Sequence, residues 1–137
     1  MTPIQIALVQ ASWGRVLPIA EAAAHIFYER LFDLDPSLRR LFRNDMNEQR
    51  RKLMEMLAVA VSGLSRLDEL LPALRELGRG HAGYGVRTEH YATVGTALLW
   101  TLEQGLGEDF TPELREAWTA VYGVLATTMK DAGRRAA

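Results

Sequence analysis

Residues 78 to 83 read GRGHAG, three glycines in the spacing G-x-G-x-x-G around a histidine. Two chemistries use such a stretch. Glycines in that spacing cradle a pyrophosphate when a strand leads in, a helix leads out and an acidic residue stands about 20 positions on inside a βαβ unit. A histidine offers instead a base or a metal ligand. The approach, LDELLPALREL, lacks the β-branched alternation of a strand, and Leu70, Leu74 and Leu77 recur at the spacing of a helix face. A helix running into the glycines is the wrong context for a nucleotide. His81 is therefore the candidate and the glycines are its setting.

His25 and His90 complete the histidines. Taken singly, each of the three reads most plainly as an imidazole satisfied in the core or facing solvent. No two stand close enough on one helix to form a zinc pair. The chain has no cysteine, which removes disulfides, thiolate metal sites and cysteine nucleophiles and leaves the redox compartment unread. A lone histidine at the end of an apolar helical face does suit one cofactor, because haem iron takes a single axial imidazole and the porphyrin an apolar slot. On that reading Gly78, Gly80, Gly83 and Gly85 keep bulk off the ring and let the helix end just past His81.

The elements that must position these residues all read as helices. Thr2-Pro3-Ile4-Gln5 combines a capping threonine, a proline at the first helical position and a glutamine three after the cap. Ile6, Val9, Trp13 and Val16 follow as an apolar stripe, and Pro18 separates them from a second run over 19–34 that carries Ala24, Phe27, Tyr28, Leu31 and Phe32. Asp35-Pro36 caps a short turn with Leu38, Leu41 and Phe42, and RNDMNEQ reads as a loop into a helix bearing Leu53, Leu57, Ala60 and Leu64. Residues 69–82 form the helix of His81. Thr88 is the expected cap of the next, which runs through Tyr91, Val94, Leu98 and Leu102 until QGLGEDF, and Thr111-Pro112 opens the last. No segment alternates at period two and no repeat is visible, so the expected class is all-α.

Composition agrees with one soluble domain. The 137 residues suffice for a real core, and 48% hydrophobic with 24% charged residues are ordinary globular values. A formal net charge of −1 gives no general pull toward nucleic acid or anionic membrane, so neither is expected as a partner. The N-terminus lacks the pattern of a leader and no run approaches the length of a membrane span, which makes a cytoplasmic location the default expectation.

Taken together, YERLFDLDPSLRRLF with Tyr28, Pro36 and Phe42, QRRKLM with Gln49 and Leu53, LGRGHAGYGV with Leu77, His81 and Val86, HYATVG with Tyr91 and Val94, and AWTAVYG near the end resemble the globins, of the bacterial single-domain kind. The last two helices are similar to those of neuroglobin. The resemblance implies the globin fold, a three-over-three helical sandwich around haem b (iron protoporphyrin IX), as a single globin domain over residues 1–137. It makes His81 the iron ligand. Tyr28 and Gln49 become donors to a ligand on the opposite, distal face, where no histidine competes. Phe42, Leu53, Leu77, Val86, Tyr91 and Val94 would line the cofactor and Lys52 would reach a propionate; without the resemblance the apolar ones are plain core and Lys52 is a solvated lysine.

The implied ligands are dioxygen, carbon monoxide and nitric oxide. Dioxygen on ferrous iron gains partial negative charge, so hydroxyl and amide donors in an apolar pocket favour it over the less polarised carbon monoxide. Reversible dioxygen binding, for transport or storage, is the first expectation. Nitric oxide dioxygenation is the second; flavohaemoglobins resemble this chain in pairing a distal tyrosine with a glutamine. They also join a last-helix carboxylate to the proximal histidine and a tyrosine equivalent to Tyr91, and eleven residues on from Tyr122 this chain has Gly133. Without that carboxylate the imidazole must rely on a backbone carbonyl. No flavin or nicotinamide domain is expected after residue 137, so turnover that needs electrons would use a separate reductase. A helical interaction domain that kept the fold and lost the haem is the remaining alternative.

Overall fold

The computed structural model describes residues 1–42 and 45–136. Among them no strand occurs, and six α-helices carry the fold: α1 Pro3–Val16, α2 Ala20–Leu34, α3 Met46–Gly63, α4 Leu67–Gly83, α5 Thr88–Leu106 and α6 Pro112–Ala136. Short 3-10 turns at Leu17–Ile19, Pro36–Leu41, Leu64–Arg66 and Gly107–Asp109 join them. Helices α1, α3 and α4 touch in sequence as one layer, α2, α5 and α6 as the other, and the layers meet where α1 and α4 cross α6 and α2 crosses α3. That is the expected three-over-three sandwich.

Local chemistry sets most boundaries. Thr2 Oγ1 accepts the Gln5 N–H at 3.1 Å while Gln5 Oε1 accepts the Thr2 N–H at 2.9 Å, a reciprocal capping box. Thr111 Oγ1 caps α6 through Leu114 N–H at 3.2 Å. Gly107 stops α5 with a φ of 56°, which a side chain disfavours. Two expectations change. Helix α3 begins at Met46 because the Asp45 carboxylate accepts the Asn47 N–H at 3.0 Å, so Met46–Gln49 of the expected loop are helical; Arg43 and Asn44 of that loop lie outside the described residues. Thr88 is the first residue of α5 rather than its cap. Arg87 takes the cap position, and His90 Nδ1 accepts the Arg87 N–H at 3.0 Å.

The core is densest between α1, α2, α5 and α6, where Val9, Ala97, Ala117 and Val121 are wholly buried. A buried long-range polar link joins its helices: Trp118 Nε1 donates to Ser12 Oγ at 2.9 Å, and Ser12 donates to the Val9 carbonyl at 2.8 Å. Gln10 Nε2 ties α1 to the end of α3 through the Val61 carbonyl and Ser65 Oγ, both at 3.0 Å.

Helix α4 lies unusually close to α6. A Cβ built on Gly78 would sit 2.3 Å from the Met129 carbonyl oxygen, and one on Gly133 would sit 3.2 Å from both the Gly78 oxygen and Ala82 Cβ. Gly78 is thus glycine because backbone meets backbone there. The expectation that it spares a ring face is replaced by this one; at Gly80 and Gly83 a Cβ would meet no protein atom within 4 Å.

Gly78→Ala should therefore destabilise by about 3 kcal/mol or more, since backbone cannot yield as a side chain can, lowering Tm by roughly 10 °C for a chain of this size. Gly14→Ala, in open space within α1, should gain about 0.5–1 kcal/mol. Thermal unfolding followed by circular dichroism checks both, and shifts of the same sign would contradict the crossing.

Candidate functional site

His81 stands in the last turn of α4, and the chain beyond it closes a Schellman motif. Val86 N–H returns to the His81 carbonyl at 3.0 Å, Gly85 N–H to the Ala82 carbonyl at 3.1 Å, and Gly85 takes a φ of 95°. The histidine backbone is thereby fixed by the same turn that starts the approach to α5. Its side chain is fixed too: Nδ1 donates to the Leu77 carbonyl one turn back at 2.9 Å. An imidazole that donates from Nδ1 and stays neutral presents a lone pair on Nε2, and Nε2 has no hydrogen bond among the described residues. Burial holds His81 below the ordinary histidine range, with the bond to Leu77 opposing it, so the neutral form prevails at neutral pH.

Tyr28 lies on α2 inside an aromatic cage. Its ring meets Phe27 at 5.0 Å and Phe42 at 5.4 Å edge-on, and Phe32 at 5.9 Å. Phe42 is delivered by the 3-10 turn that Asp35 caps, its carboxylate accepting Ser37 N–H at 3.1 Å and Ser37 Oγ at 2.6 Å. Gln49 sits one turn into α3, its N–H bonded to the Asp45 carbonyl at 3.1 Å. The two meet: Gln49 Nε2 donates to Tyr28 Oη at 3.2 Å. That bond leaves the hydroxyl proton of Tyr28 free to be given elsewhere. Burial pushes the Tyr28 phenol up, while the Gln49 bond and the charge of Arg50 pull it part of the way back. Sequence reasoning did not single out Arg50; its only signal was its place beside Gln49.

The expected lining residues divide by element. Phe42 ends the 3-10 turn, Leu53 lies on α3, Leu77 on α4, Val86 in the turn after His81 and Val94 on α5, and all are half-buried, unlike the wholly buried side chains of the opposite core. Leu41, also half-buried, lies beside them: its Cδ2 is 3.6 Å from where a Gly85 side chain would begin, which brings the turn after His81 against the segment that holds Phe42. Tyr91 is buried, and Tyr122 Oη donates to its carbonyl at 2.6 Å across a gap that Gly95 leaves open, since a Cβ there would reach 2.8 Å from the Tyr122 ring. Burial raises the Tyr91 phenol, and the Tyr122 phenol far more. Lys52 is exposed and makes no ion pair among the described residues. His25 is exposed, and His90 has a backbone role. Asp131, the nearest acidic residue on α6, is half-exposed and paired with Arg134 at 3.2 Å.

These residues fit a haem. Among the described residues no cluster of three or more acidic, histidine or cysteine side chains could chelate an ion. What exists is one neutral imidazole with an unengaged Nε2, apolar side chains that are half-buried on five segments, and a hydroxyl–amide pair. A flat apolar macrocycle with one axial nitrogen needs that donor set and little else.

Comparison with known proteins gives the same result. The globin family model matches residues 25–129. Over 130 residues the chain is 38% identical to a flavohemoprotein of Bordetella parapertussis, covering 92% of this chain and 32% of that protein, so the chain spans about a third of the flavohemoprotein's length. It is 34% identical to neuroglobin of Tetraodon nigroviridis over 136 residues, covering 89% of this chain and 86% of the relative. Among solved structures, an engineered carbene transferase from Rhodothermus marinus, described as a candidate nitric oxide dioxygenase, superposes with a TM-score of 0.89 at 27% identity, covering 98% of this chain and 94% of the other. A bacterial globin from Campylobacter jejuni shares the fold, with a TM-score of 0.85 at 23% identity and coverage of 98% and 97%. No described helix is long and apolar enough to cross a membrane. With the family model, the neuroglobin match and the helical sandwich in agreement, the chain belongs to the globin family of haem proteins.

Proposed function

We propose that the chain, as a single globin domain in the cytoplasm, binds dioxygen reversibly on haem b, with His81 as the residue that would hold the iron and Tyr28 and Gln49 as the pair that would stabilise the ligand. The observation that carries this reading is the partly buried bond from Gln49 Nε2 to Tyr28 Oη. When bound, the haem supplies a ferrous iron that accepts a diatomic ligand and passes negative charge to it. The protein's own residues do the rest. Gln49 polarises the Tyr28 hydroxyl by donating to its oxygen, and the polarised O–H is a stronger donor toward a partly charged ligand. Gln49 then acts through Tyr28 rather than beside it. Phe42, Leu53, Leu77, Val86, Tyr91 and Val94 exclude water around the porphyrin, and Lys52 reaches a propionate. Carbon monoxide and nitric oxide use the same pocket.

Nitric oxide dioxygenation with a separate reductase is the second reading, supported by the 38% identity to a flavohemoprotein. The proximal side favours the first: Nδ1 of His81 faces a carbonyl, not a carboxylate, and a carbonyl makes the imidazole a weaker electron donor. Stopped-flow mixing of the oxygenated protein with nitric oxide, followed by turnover with a reductase, separates the two. Fast single reaction without sustained turnover supports a carrier. A preparation that stays colourless after haemin is added would overturn both.

Three outcomes are expected. His81→Gly should lose or loosen haem and recover it, by Soret absorption, when imidazole is supplied. Tyr28→Phe should raise the dioxygen off-rate about tenfold to a hundredfold, the range of one donor to a charged acceptor. Gln49→Leu should raise it less, and the double variant should match Tyr28→Phe alone, because the relay ends at Tyr28; a further increase in the double variant means that Gln49 reaches the ligand directly. The third concerns pH. The Tyr28 phenol ionises above its ordinary value near 10 in the folded state, so its contribution to stability is full below about pH 10 and is lost as pH rises through the folded value. Urea midpoints of Tyr28→Phe should therefore fall less steeply than those of the unaltered protein between about pH 9.5 and 11.

A further inference from the structure

A cleft of about 270 Å³ opens between α4 and α6 on the surface, lined by Arg75, Arg79, Thr128, Asp131, Ala132 and Arg135. The residues form two facing stripes: Arg75 and Arg79 are one turn apart on α4, and Thr128, Asp131, Ala132 and Arg135 recur at helical spacing on α6. In a chain whose net charge is −1 this is a concentration of guanidinium groups. One of them is already answered in part, since Arg79 pairs with Glu76 at 2.9 Å; Asp131 is engaged by Arg134, a neighbour outside the lining, at 3.2 Å. Arg75 and Arg135 have no ion pair or hydrogen bond among the described residues. One uncompensated guanidinium thus comes from each wall, and the pair matches a dianion. Guanidinium forks bind phosphate oxygens two at a time.

The rest of the lining asks for more than a bare anion. Thr128 gives its hydroxyl proton to the Val124 carbonyl at 2.9 Å, so only its oxygen lone pairs are left to offer. Asp131 is likewise an acceptor. Inorganic phosphate carries its few hydroxyl protons on the same charged group that the carboxylate repels, whereas a hydroxylated molecule donates to both through hydroxyls that stand away from its charge. The volume, near the lower bound of small-molecule sites, suits a single sugar ring better than a larger ligand. We propose that the cleft between α4 and α6 binds a sugar phosphate, with Arg75 and Arg135 holding the phosphate and Thr128 and Asp131 accepting from the hydroxyls. Binding bridges the two helices whose backbones cross at Gly78 and Gly133. The cleft shares no lining residue with the His81–Tyr28 pocket, so its ligand binding is measurable whether or not the proposed gas chemistry holds.

Calorimetric titration of the full haem-loaded chain with glucose 6-phosphate, inorganic phosphate and glucose tests the proposal. Glucose 6-phosphate should bind once per chain, inorganic phosphate at least about tenfold more weakly and glucose not measurably. Arg75→Gln and Arg135→Gln should each weaken glucose 6-phosphate about tenfold or more with unchanged helicity, and Arg66→Gln, a surface arginine outside the cleft, should leave it unchanged. Asp131→Asn should narrow the preference for glucose 6-phosphate over inorganic phosphate. Absence of saturable binding, equal affinity for inorganic phosphate, or indifference to both cleft arginines would overturn it.

Discussion

Helix α4 can present His81 only because its backbone lies directly on that of α6. At Gly78 there is no room for even one carbon between the helices, so the crossing fixes α4 in depth and rotation without relying on adaptable side chains. Three residues later, His81 inherits that position. The far end is fixed by the Schellman turn, which returns Val86 N–H to the His81 carbonyl. A histidine between a rigid crossing and a closed turn has little freedom left beyond its ring torsions, and the Leu77 carbonyl removes most of that. The imidazole is pre-organised by packing and backbone geometry alone.

The opposite face of the pocket solves a different problem. A buried phenol and a half-buried amide each cost free energy unless they find partners. Tyr28 and Gln49 find one another, so the fold can place two polar groups in an aromatic cage. This arrangement explains why α3 must start where it does: the Asp45 cap sets the helical register in which Gln49, one turn in, reaches back to α2. Had α3 begun after the RNDMNEQ segment, as its polar composition invites, Gln49 would lack the helical frame that aims its amide.

How much of this was legible in the sequence depends on whether the signal is local. Caps at Thr2, Asp35 and Thr111 depend on neighbouring residues and read directly; so do the helical stripes and the lone His81. Helix α3 starts earlier than its polar leading segment suggests, because Asp45 is one polar residue in a polar run and its bond to Asn47 is what distinguishes a cap from a loop. His90 displaced Thr88 as the stabiliser of the α5 start through an imidazole acceptor, a rarer device than a hydroxyl. The spacing around His81 suggests that Gly78 makes room for a ring, yet it makes room for Met129, fifty-one residues away; no local pattern announces a contact at that distance. The Tyr28–Gln49 pair was accessible through family resemblance and through no feature of either segment alone.

Gly133 connects the crossing to the chemistry. The resemblance to flavohaemoglobins leads one to expect a carboxylate at this position; here Gly133 packs against the Gly78 oxygen and Ala82 Cβ. A side chain at 133 would have to enter the same narrow crossing that Gly78 depends on, so closeness of α4 to α6 and a carboxylate beside His81 compete for one space. This chain has resolved the competition in favour of closeness. The consequence falls on the imidazole, which donates to a neutral carbonyl rather than to an anion and gains less basicity from it. Asp131 does not restore the missing charge, because it lies on the surface of α6 and is engaged with Arg134. The packing of two helices and the hydrogen-bonding surroundings of the His81 imidazole are, in this molecule, set by the same pair of glycines.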